Sequence, residues 1–272
     1  MTQDTAAAPR LLHHRVDGPD SAPPLLMGPS LGTSMAVWNA QVPALARHHR
    51  VVRWDLPGHG GSPTRLLPDS SPGASTVGDL GGLVLDLADA FGIERFAYAG
   101  ISLGGAVGTW LAVHHADRVA RLALVCSSAH FGAAGPWRER AELVRLKGTE
   151  PLLSTSPSRW FADPLTAETS LGRALLRNLA EADPSGYAAC CDALADYDLR
   201  HGLARITAPT LVIGGCYDVA TPLEHASELA AGIPEGTLTT VSTGHLAVEQ
   251  PRAVTSALLA HLRANGTVSM TR

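Results

Sequence analysis

The chain has 272 residues, of which 45% are hydrophobic and 17% charged, a composition that suits one compact globular domain with room for an inserted lobe. Its net charge is −4, and its basic side chains are spread along the sequence, which argues against the concentrated positive surface that nucleic-acid-binding proteins use. The first ten residues contain no signal-like segment, and no apolar run approaches the ~20 residues that span a bilayer. We therefore expect a soluble, cytoplasmic protein that binds neither nucleic acid nor membrane.

Short apolar runs alternate with stretches of helical periodicity along most of the chain. Runs that are followed by glycine or small polar residues are typical of strands buried in a parallel sheet. The helical patterns are clearest over Val77–Phe91 and Ala106–His115. The predicted strands are Leu25–Met27, Val51–Trp54, Phe96–Ala99 with Ile101, Leu122–Val125, Leu211–Ile213 and Leu238–Val241. This alternation predicts an α/β fold with a doubly wound, mostly parallel sheet.

One long segment interrupts the alternation. From about Phe131 to Leu203 the pattern is mainly helical, with several prolines and no convincing buried strand. We predict that residues 131–203 form a helical cap inserted into a core made of residues 1–130 and 204–272. The cap contains eight Lys or Arg and ten Asp or Glu between Phe131 and Gly202, so any recognition of an anion there must come from individually placed arginines.

Two segments match the Gly-x-Ser-x-Gly pattern, in which small residues let a strand turn sharply into a helix and expose the serine hydroxyl. They are Gly-Pro-Ser-Leu-Gly at 28–32 and Gly-Ile-Ser-Leu-Gly at 100–104. Ser102 follows a predicted strand and precedes a helix that begins with small residues. Ser30 follows a proline, and no sustained helix follows it. We therefore predict that Ser102 is the nucleophile and that Ser30 is a loop residue.

A serine hydroxyl is a weak nucleophile, so a histidine must take its proton and a carboxylate must hold that histidine in the correct tautomer. In this fold the order along the chain is serine, acid, histidine. Asp218 follows the strand Leu211–Ile213, and of the 12 histidines His245 is the one that stands directly after the last predicted strand, four residues beyond Val241. An aspartate after a strand is more often a turn former, but here it stands at the required place. We predict a triad of Ser102, Asp218 and His245.

The negative charge on a tetrahedral intermediate needs two preorganised N–H donors. One predicted donor is the backbone of Leu103, directly after the nucleophile. The other is the backbone of Leu31, in the loop after the first predicted strand, because Pro29 in that loop has no N–H.

The cysteines and histidines give no sign of a metal site. Cys126, Cys190, Cys191 and Cys216 have no paired spacing, and neither Cys-x-x-Cys nor His-Glu-x-x-His occurs. We expect reduced, mostly buried thiols, no metal and no cofactor.

Over nearly its whole length the sequence resembles the α/β-hydrolases. The segments that carry this resemblance are Ser-Leu-Gly-Thr at 30–33, the Asp-Leu-Pro-Gly-His-Gly-Gly-Ser turn at 55–62, 100–105, and Asp218 before Thr-Pro at 221–222. Within the 55–62 turn, Asp55 and His59 either shape the loop or touch substrate, and the surrounding Gly and Pro residues favour the loop.

More narrowly, the predicted cap resembles that of the 3-oxoadipate enol-lactonases of aromatic catabolism, the β-ketoadipate pathway. The matching segments are Trp137 with Arg140, Arg-Trp-Phe at 159–161, Gly-Tyr-Ala-Ala-Cys-Cys at 186–191 and Asp-Leu-Arg at 198–200. The ending at 245–251 is also similar, but it is one residue shorter after the histidine than the pattern of that family, a difference that bears on the wall of the pocket.

The resemblance implies a reaction and a substrate. Ser102 would attack the lactone carbonyl, His245 would take its proton, and water would then release 3-oxoadipate from the serine. The acetate side chain of the lactone needs a cationic or polar anchor, for which the resemblance gives Trp137, Arg140, Arg159 and Trp160. The competing interpretation of these four residues is that the tryptophans only pack and the arginines only face water.

Other functions fit the same triad. A carboxylesterase, a perhydrolase-like enzyme or a carbon–carbon bond hydrolase would differ only in the pocket. Haloalkane dehalogenases and epoxide hydrolases are excluded, because they use aspartate where Ser102 stands. A non-catalytic lactone receptor on the same scaffold is a further alternative, since fold does not fix function.

Overall fold

The computed structural model describes residues 11–263. Its described part contains one sheet of seven strands in the order β1-β3-β2-β4-β5-β6-β7. β1 runs antiparallel to β3, and every other pair of neighbours is parallel. The strands are β1 (His14–Asp17), β2 (Pro24–Gly28), β3 (Arg50–Trp54), β4 (Phe96–Ile101), β5 (Val119–Val125), β6 (Thr210–Gly215) and β7 (Gly236–Val241). The predicted α/β fold with a mostly parallel sheet is confirmed.

Ten α-helices and four 3-10 helices accompany the sheet in the described residues. The α-helices are α1 (Val42–Leu45), α2 (Val77–Ala90), α3 (Leu103–His114), α4 (Ala134–Lys147), α5 (Glu150–Leu153), α6 (Ser156–Trp160), α7 (Ser170–Glu181), α8 (Pro184–Ala195), α9 (Leu223–Gly232) and α10 (Pro251–Arg263). The 3-10 helices are Met35–Trp38, Thr64–Leu66, Pro164–Glu168 and Arg200–Arg205.

All six predicted strands are present, and β1 is the one strand of the sheet that was not predicted from the sequence. Its sequence, His-Arg-Val-Asp, has a single apolar residue because it lies at the edge of the sheet and is only half-buried. The interior strands are different: Leu25, Leu26 and Met27 of β2 are fully buried. A strand covered on both faces needs apolar side chains on both, and this continuous pattern made the interior strands recognisable.

The helices α4–α8 lie between β5 and β6 and contain no strand in the described residues. α4 packs against α8, and an isolated bridge between His130 and Asp198 stands where this insertion leaves and rejoins the sheet. We call α4–α8 the inserted helices. The division by residue number into a core and a cap stays a prediction, and its outermost parts, 1–10 and 264–272, lie outside the described residues.

Two structural findings bear on expectations from the sequence: the character of the helices and the state of the cysteine thiols. Within residues 11–263, no helix combines the length and the apolar character that crossing a membrane requires. Cys126, Cys190 and Cys191 are buried and Cys216 is exposed, and all four thiols are free.

Candidate active site

Ser102 lies at the sharp turn between β4 and α3. Its backbone has φ 54° and ψ −116°, a conformation that residues with a side chain rarely adopt. Its N–H donates to the carbonyl of Val125 at 3.0 Å, and its carbonyl accepts from Ala106 N–H at 3.0 Å and from the Ser127 hydroxyl at 2.8 Å. These bonds hold the strained turn in place.

The glycines on either side of Ser102 are required by close backbone contacts. A Cβ on Gly100 would lie 2.2 Å from the carbonyl oxygen of Gly104. A Cβ on Gly104 would lie 2.5 Å from the backbone of Gly28 in β2. The small residues at this turn therefore let β4, α3 and β2 approach one another, as the Gly-x-Ser-x-Gly pattern requires.

Ser30 lies in a turn, as predicted. Its carbonyl accepts hydrogen bonds from the N–H of Thr33 at 3.1 Å and from the Thr33 hydroxyl at 2.8 Å. The two Gly-x-Ser-x-Gly matches thus have different structures, and only Ser102 lies between a strand and a helix that begins at once.

Asp218 and His245 meet beyond the carboxyl ends of β6 and β7. Nδ1 of His245 lies 2.9 Å from Oδ2 and 3.1 Å from Oδ1 of Asp218. The carboxylate also accepts hydrogen bonds from Ala220 N–H and from both the N–H and the hydroxyl of Thr221. Because an ionised carboxylate only accepts hydrogen bonds, Nδ1 of His245 carries the proton and Nε2 is left with a free lone pair.

The environment of Asp218 favours its charged form. Burial alone would raise the pKa of this carboxyl, but the positive charge that His245 carries when it is protonated and the hydrogen bonds from His245 and Thr221 outweigh it, so the pKa lies below its usual value. Asp218 therefore stays negative at neutral pH and stabilises positive charge on the His245 ring.

Ser102 and His245 line one cavity, which the inserted helices cover. The other lining residues are Ser30, Leu31, Phe131, Trp137, Arg140, Leu152, Thr155, Ser156, Arg159, Trp160, Tyr187, Ala220 and Thr221. The structure thus brings Ser102, His245, Leu31 and all four predicted substrate-binding residues to the lining of one cavity. Asp218 and Leu103 are not among the lining residues: Asp218 hydrogen-bonds His245, and Leu103 directly follows Ser102. Among the described residues, every side-chain hydrogen bond of His245 involves Nδ1, and none joins Nε2 to Ser102. A hydrogen bond between a catalytic serine and histidine often forms fully only when substrate is bound.

Of the two predicted oxyanion donors, Leu103 directly follows Ser102 and Leu31 lines the same cavity as Ser102. Leu103 is the first residue of α3, where backbone N–H groups have no partner within the helix. Leu31 lies in the loop after β2, and the next residue, Gly32, has φ +79°. The loop is held by His59, whose Nε2 accepts the N–H of Gly32 at 3.1 Å.

His59 and Asp55 shape loops, as the sequence interpretation favoured. Nδ1 of His59 donates to the carbonyl of Pro57 at 3.0 Å, and its ring stacks on Tyr187 at 5.7 Å between centroids. Burial lowers the pKa of His59, which keeps the ring neutral and leaves Nε2 able to accept. Asp55 accepts from the backbone N–H groups of Met35 and Gly61.

Two arginines face the cavity, and none of the described residues lining it is acidic. Arg140 lies over the ring of Trp137, 5.3 Å from its centroid, and its charge lies close to Tyr187. Burial and the nearby charge of Arg140 lower the pKa of Arg159. Two cations in a partly buried cavity whose described lining residues include no carboxylate form an electrostatic site for an anionic group.

Sequence reasoning gave no role to several residues of the site. Tyr187 lies in the Gly-Tyr-Ala-Ala-Cys-Cys segment, so the resemblance marked its position but not its contacts with His59 and Arg140. Thr221 was visible as part of the Thr-Pro pair after Asp218. Ala247, in the loop that the resemblance marks as one residue short, has φ +56°, a conformation that its sequence did not signal.

Residues 23–251 match the family model of the alpha/beta hydrolase fold. The chain belongs to the α/β-hydrolase family. Like other members of that family, it places a serine at a strand-to-helix turn and an aspartate–histidine pair after later strands.

The most informative relatives of this α/β-hydrolase are lactonases. It is 34% identical to 3-oxoadipate enol-lactonase 2 of Acinetobacter baylyi over 254 residues, which cover 93% of each chain. It superposes on the enol-lactonase of Burkholderia xenovorans with a TM-score of 0.87 at 35% identity, covering 92% of this chain and 96% of the other. For a hydrolase from Pseudomonas aeruginosa the TM-score is 0.86 at 38% identity, with 92% and 94% covered. The resemblance to enol-lactonases is confirmed, and the protein is a hydrolase that acts on ester bonds.

Proposed function

We propose that this α/β-hydrolase is a 3-oxoadipate enol-lactonase, which opens the ring of 3-oxoadipate enol-lactone to give 3-oxoadipate. The observation that carries the proposal is the pair of arginines, Arg140 and Arg159, in the same cavity as Ser102 and His245. An esterase for neutral substrates has no use for two cations beside its nucleophile. A lactone with a carboxylate on its ring side chain does.

The first half of the reaction opens the ring. The hydroxyl of Ser102 attacks the lactone carbonyl while Nε2 of His245 takes its proton, and the N–H groups of Leu31 and Leu103 bind the oxyanion. The bond between the acyl carbon and the ring oxygen then breaks, and the oxygen leaves as an enolate that remains part of the acyl chain. The proton that His245 took from Ser102 passes to the enolate carbon, which gives the ketone, hinders closure of the ring and leaves Nε2 free to accept a proton again.

The second half releases the product. Water attacks the acyl-serine while His245 takes one of its protons, and that proton returns to Ser102 as the ester bond breaks. These steps use only side chains, backbone N–H groups and water, in keeping with the expectation of no cofactor. The substrate is the one small-molecule partner that the proposal requires.

Two cationic groups in the cavity wall are available to bind the substrate carboxylate. A guanidinium binds a carboxylate through two parallel hydrogen bonds, so Arg140 or Arg159 can fix the acetate side chain while Trp137 and Trp160 pack against the ring. The names of the relatives from Acinetobacter baylyi and Burkholderia xenovorans support the same substrate.

The decisive assay follows the loss of ultraviolet absorbance of 3-oxoadipate enol-lactone, generated in place from muconolactone, beside hydrolysis of p-nitrophenyl acetate. We expect fast loss of the lactone with the wild type and none above background with Ser102→Ala. Hydrolysis of the aryl ester without loss of the lactone would instead identify a general carboxylesterase on the same triad. Binding of the lactone with no turnover of either compound would favour a receptor.

A further inference from the structure

The carboxylate of Glu249, four residues after His245, joins two segments of the chain that are distant in sequence. In the described residues it accepts five hydrogen bonds. The donors to Oε2 are Gly244 N–H at 2.7 Å, Ala162 N–H at 2.9 Å and the Thr243 hydroxyl at 3.2 Å, and the donors to Oε1 are Asp163 N–H at 2.9 Å and the Thr166 hydroxyl at 3.2 Å.

Each segment carries a different part of the candidate site. The first, residues 159–166, runs from the end of α6 into the following 3-10 helix and places Arg159 and Trp160 in the wall of the cavity. We call it the wall segment. The second, residues 243–246, contains His245, and we call it the histidine segment.

The two segments pack backbone against backbone. Leu246 N–H donates to the carbonyl of Trp160 at 3.2 Å. A Cβ on Gly244 would lie 2.6 Å from the nitrogen of Ala162 and 2.7 Å from the oxygen of Trp160. If either segment changes its position, the other must therefore move with it.

A carboxylate suits this junction because both segments present N–H groups to it. Ala162, Asp163 and Gly244 all point donors at Glu249, and donors cannot satisfy one another. A single oxygen, Oε2, accepts from both segments at once. Hydrogen bonds to an ionised acceptor are also about twice as strong as those between neutral groups.

We propose that Glu249 is a positioning residue that fixes the cavity wall relative to His245. It keeps Arg159 and Trp160, which bind substrate, in one geometry with the group that moves the proton. The coupling of the two segments stands on the contacts alone, whereas its effect on turnover rests on the proposed function. A glutamate that only stabilised the fold would change the melting temperature and leave the chemical step unaltered.

The test compares Glu249→Gln and Glu249→Ala with Glu142→Gln, which changes an exposed glutamate on α4. Three quantities are measured: hydrogen exchange of peptides covering the two segments, the rate at which a fluorophosphonate labels the active serine, and kcat and KM for the enol-lactone. Labelling depends on His245 and the oxyanion donors but needs no carboxylate on the reagent.

We expect faster exchange in both segments, slower labelling and a kcat lowered about 10- to 100-fold, with the alanine variant more affected than the glutamine variant and Glu142→Gln unchanged. A folded Glu249→Gln protein with normal labelling and normal kcat would overturn the proposal. So would faster exchange in the wall segment alone.

A milder variant keeps the test decisive if the Glu249 variants do not fold. Thr166→Val removes one of the five hydrogen-bond donors to Glu249, and the substituted residue belongs to the wall segment. The proposal predicts faster exchange in the histidine segment as well, and unchanged exchange there would contradict it. If wild-type protein is labelled by the fluorophosphonate but does not open the enol-lactone, the proposed substrate is wrong, while exchange and labelling still decide the role of Glu249.

Discussion

The backbone N–H of Gly32 donates a hydrogen bond to Nε2 of His59 across 3.1 Å. The loop that it holds also contains Leu31, the predicted oxyanion donor, and the His59 ring stacks on Tyr187 from the inserted helices. We therefore expect the geometry of the predicted oxyanion site to depend on His59, which is not among the residues that line the cavity.

Replacing His59 by Phe keeps a ring against Tyr187 and removes the acceptor for Gly32. We expect kcat to fall by about 10-fold, less than the roughly 10²- to 10³-fold that follows loss of a whole oxyanion donor. Steady-state assays with the enol-lactone check this, with the exposed His201→Phe as control. A normal kcat in a folded His59→Phe protein would show that the loop needs no support from His59.

The same histidine gives a pH dependence of stability. Burial lowers the pKa of His59 below its ordinary 6.5, so near that pH the unfolded chain takes up a proton that the folded chain does not. Stability therefore falls as pH drops from 6.5 toward the pKa of the folded state. We expect the melting temperature of wild type minus that of His59→Phe to shrink between pH 8 and pH 5. A difference that is constant or grows on acidification would contradict a neutral, accepting His59.

The cation pair predicts selectivity for an anionic substrate. Arg159→Gln and Arg140→Gln should each raise KM for the enol-lactone by about 10- to 100-fold, because a charge-assisted hydrogen bond is worth roughly 1.5–3 kcal/mol. Hydrolysis of p-nitrophenyl acetate should stay within about 3-fold of wild type, and Arg138→Gln, whose arginine pairs with Asp196, serves as control. Equal losses on both substrates would mean that these arginines support the fold rather than recognise a carboxylate.

The conformation of Ser102 predicts a stabilising substitution. Glycine adopts its φ of 54° without a clash, so Ser102→Gly should be more stable than Ser102→Ala by about 1–3 kcal/mol, while both abolish turnover. Alanine keeps the Cβ and hence the strain. Chemical denaturation of the two variants checks this, and equal midpoints would show that the turn stores no strain.

Asp218 should be needed for its charge and not for its shape. Asp218→Asn keeps the size of the side chain, but its amide group can leave Nδ1 of His245 without its acceptor and favour the wrong tautomer. We expect kcat to drop by about 10⁴-fold, as in other triads. A loss below about 10-fold would point to another carboxylate as the partner of His245.

The sequence could predict those parts of the molecule that depend on residues close together along the chain. Buried strands are continuous apolar runs, and the turn at Ser102 requires glycines two positions away on each side. β1 was missed because an edge strand needs only one covered face. The bonds from the wall segment to Glu249 and the stacking of Tyr187 on His59 were also missed, since each joins residues more than 80 positions apart along the chain. The catalytic roles of the triad, the cap boundaries and the cytoplasmic location stay predictions.

We expect Ser102 to form an acyl-enzyme whose leaving group stays attached to the acyl chain. This mechanism is tested by rapid quenching of wild-type protein during turnover of the enol-lactone, followed by mass spectrometry of its peptides. The peptide containing Ser102 should carry an adduct with a mass increase equal to that of the entire lactone, because ring opening releases no fragment. An adduct on the peptide containing Ser30, or a smaller adduct that has lost part of the lactone, would contradict it.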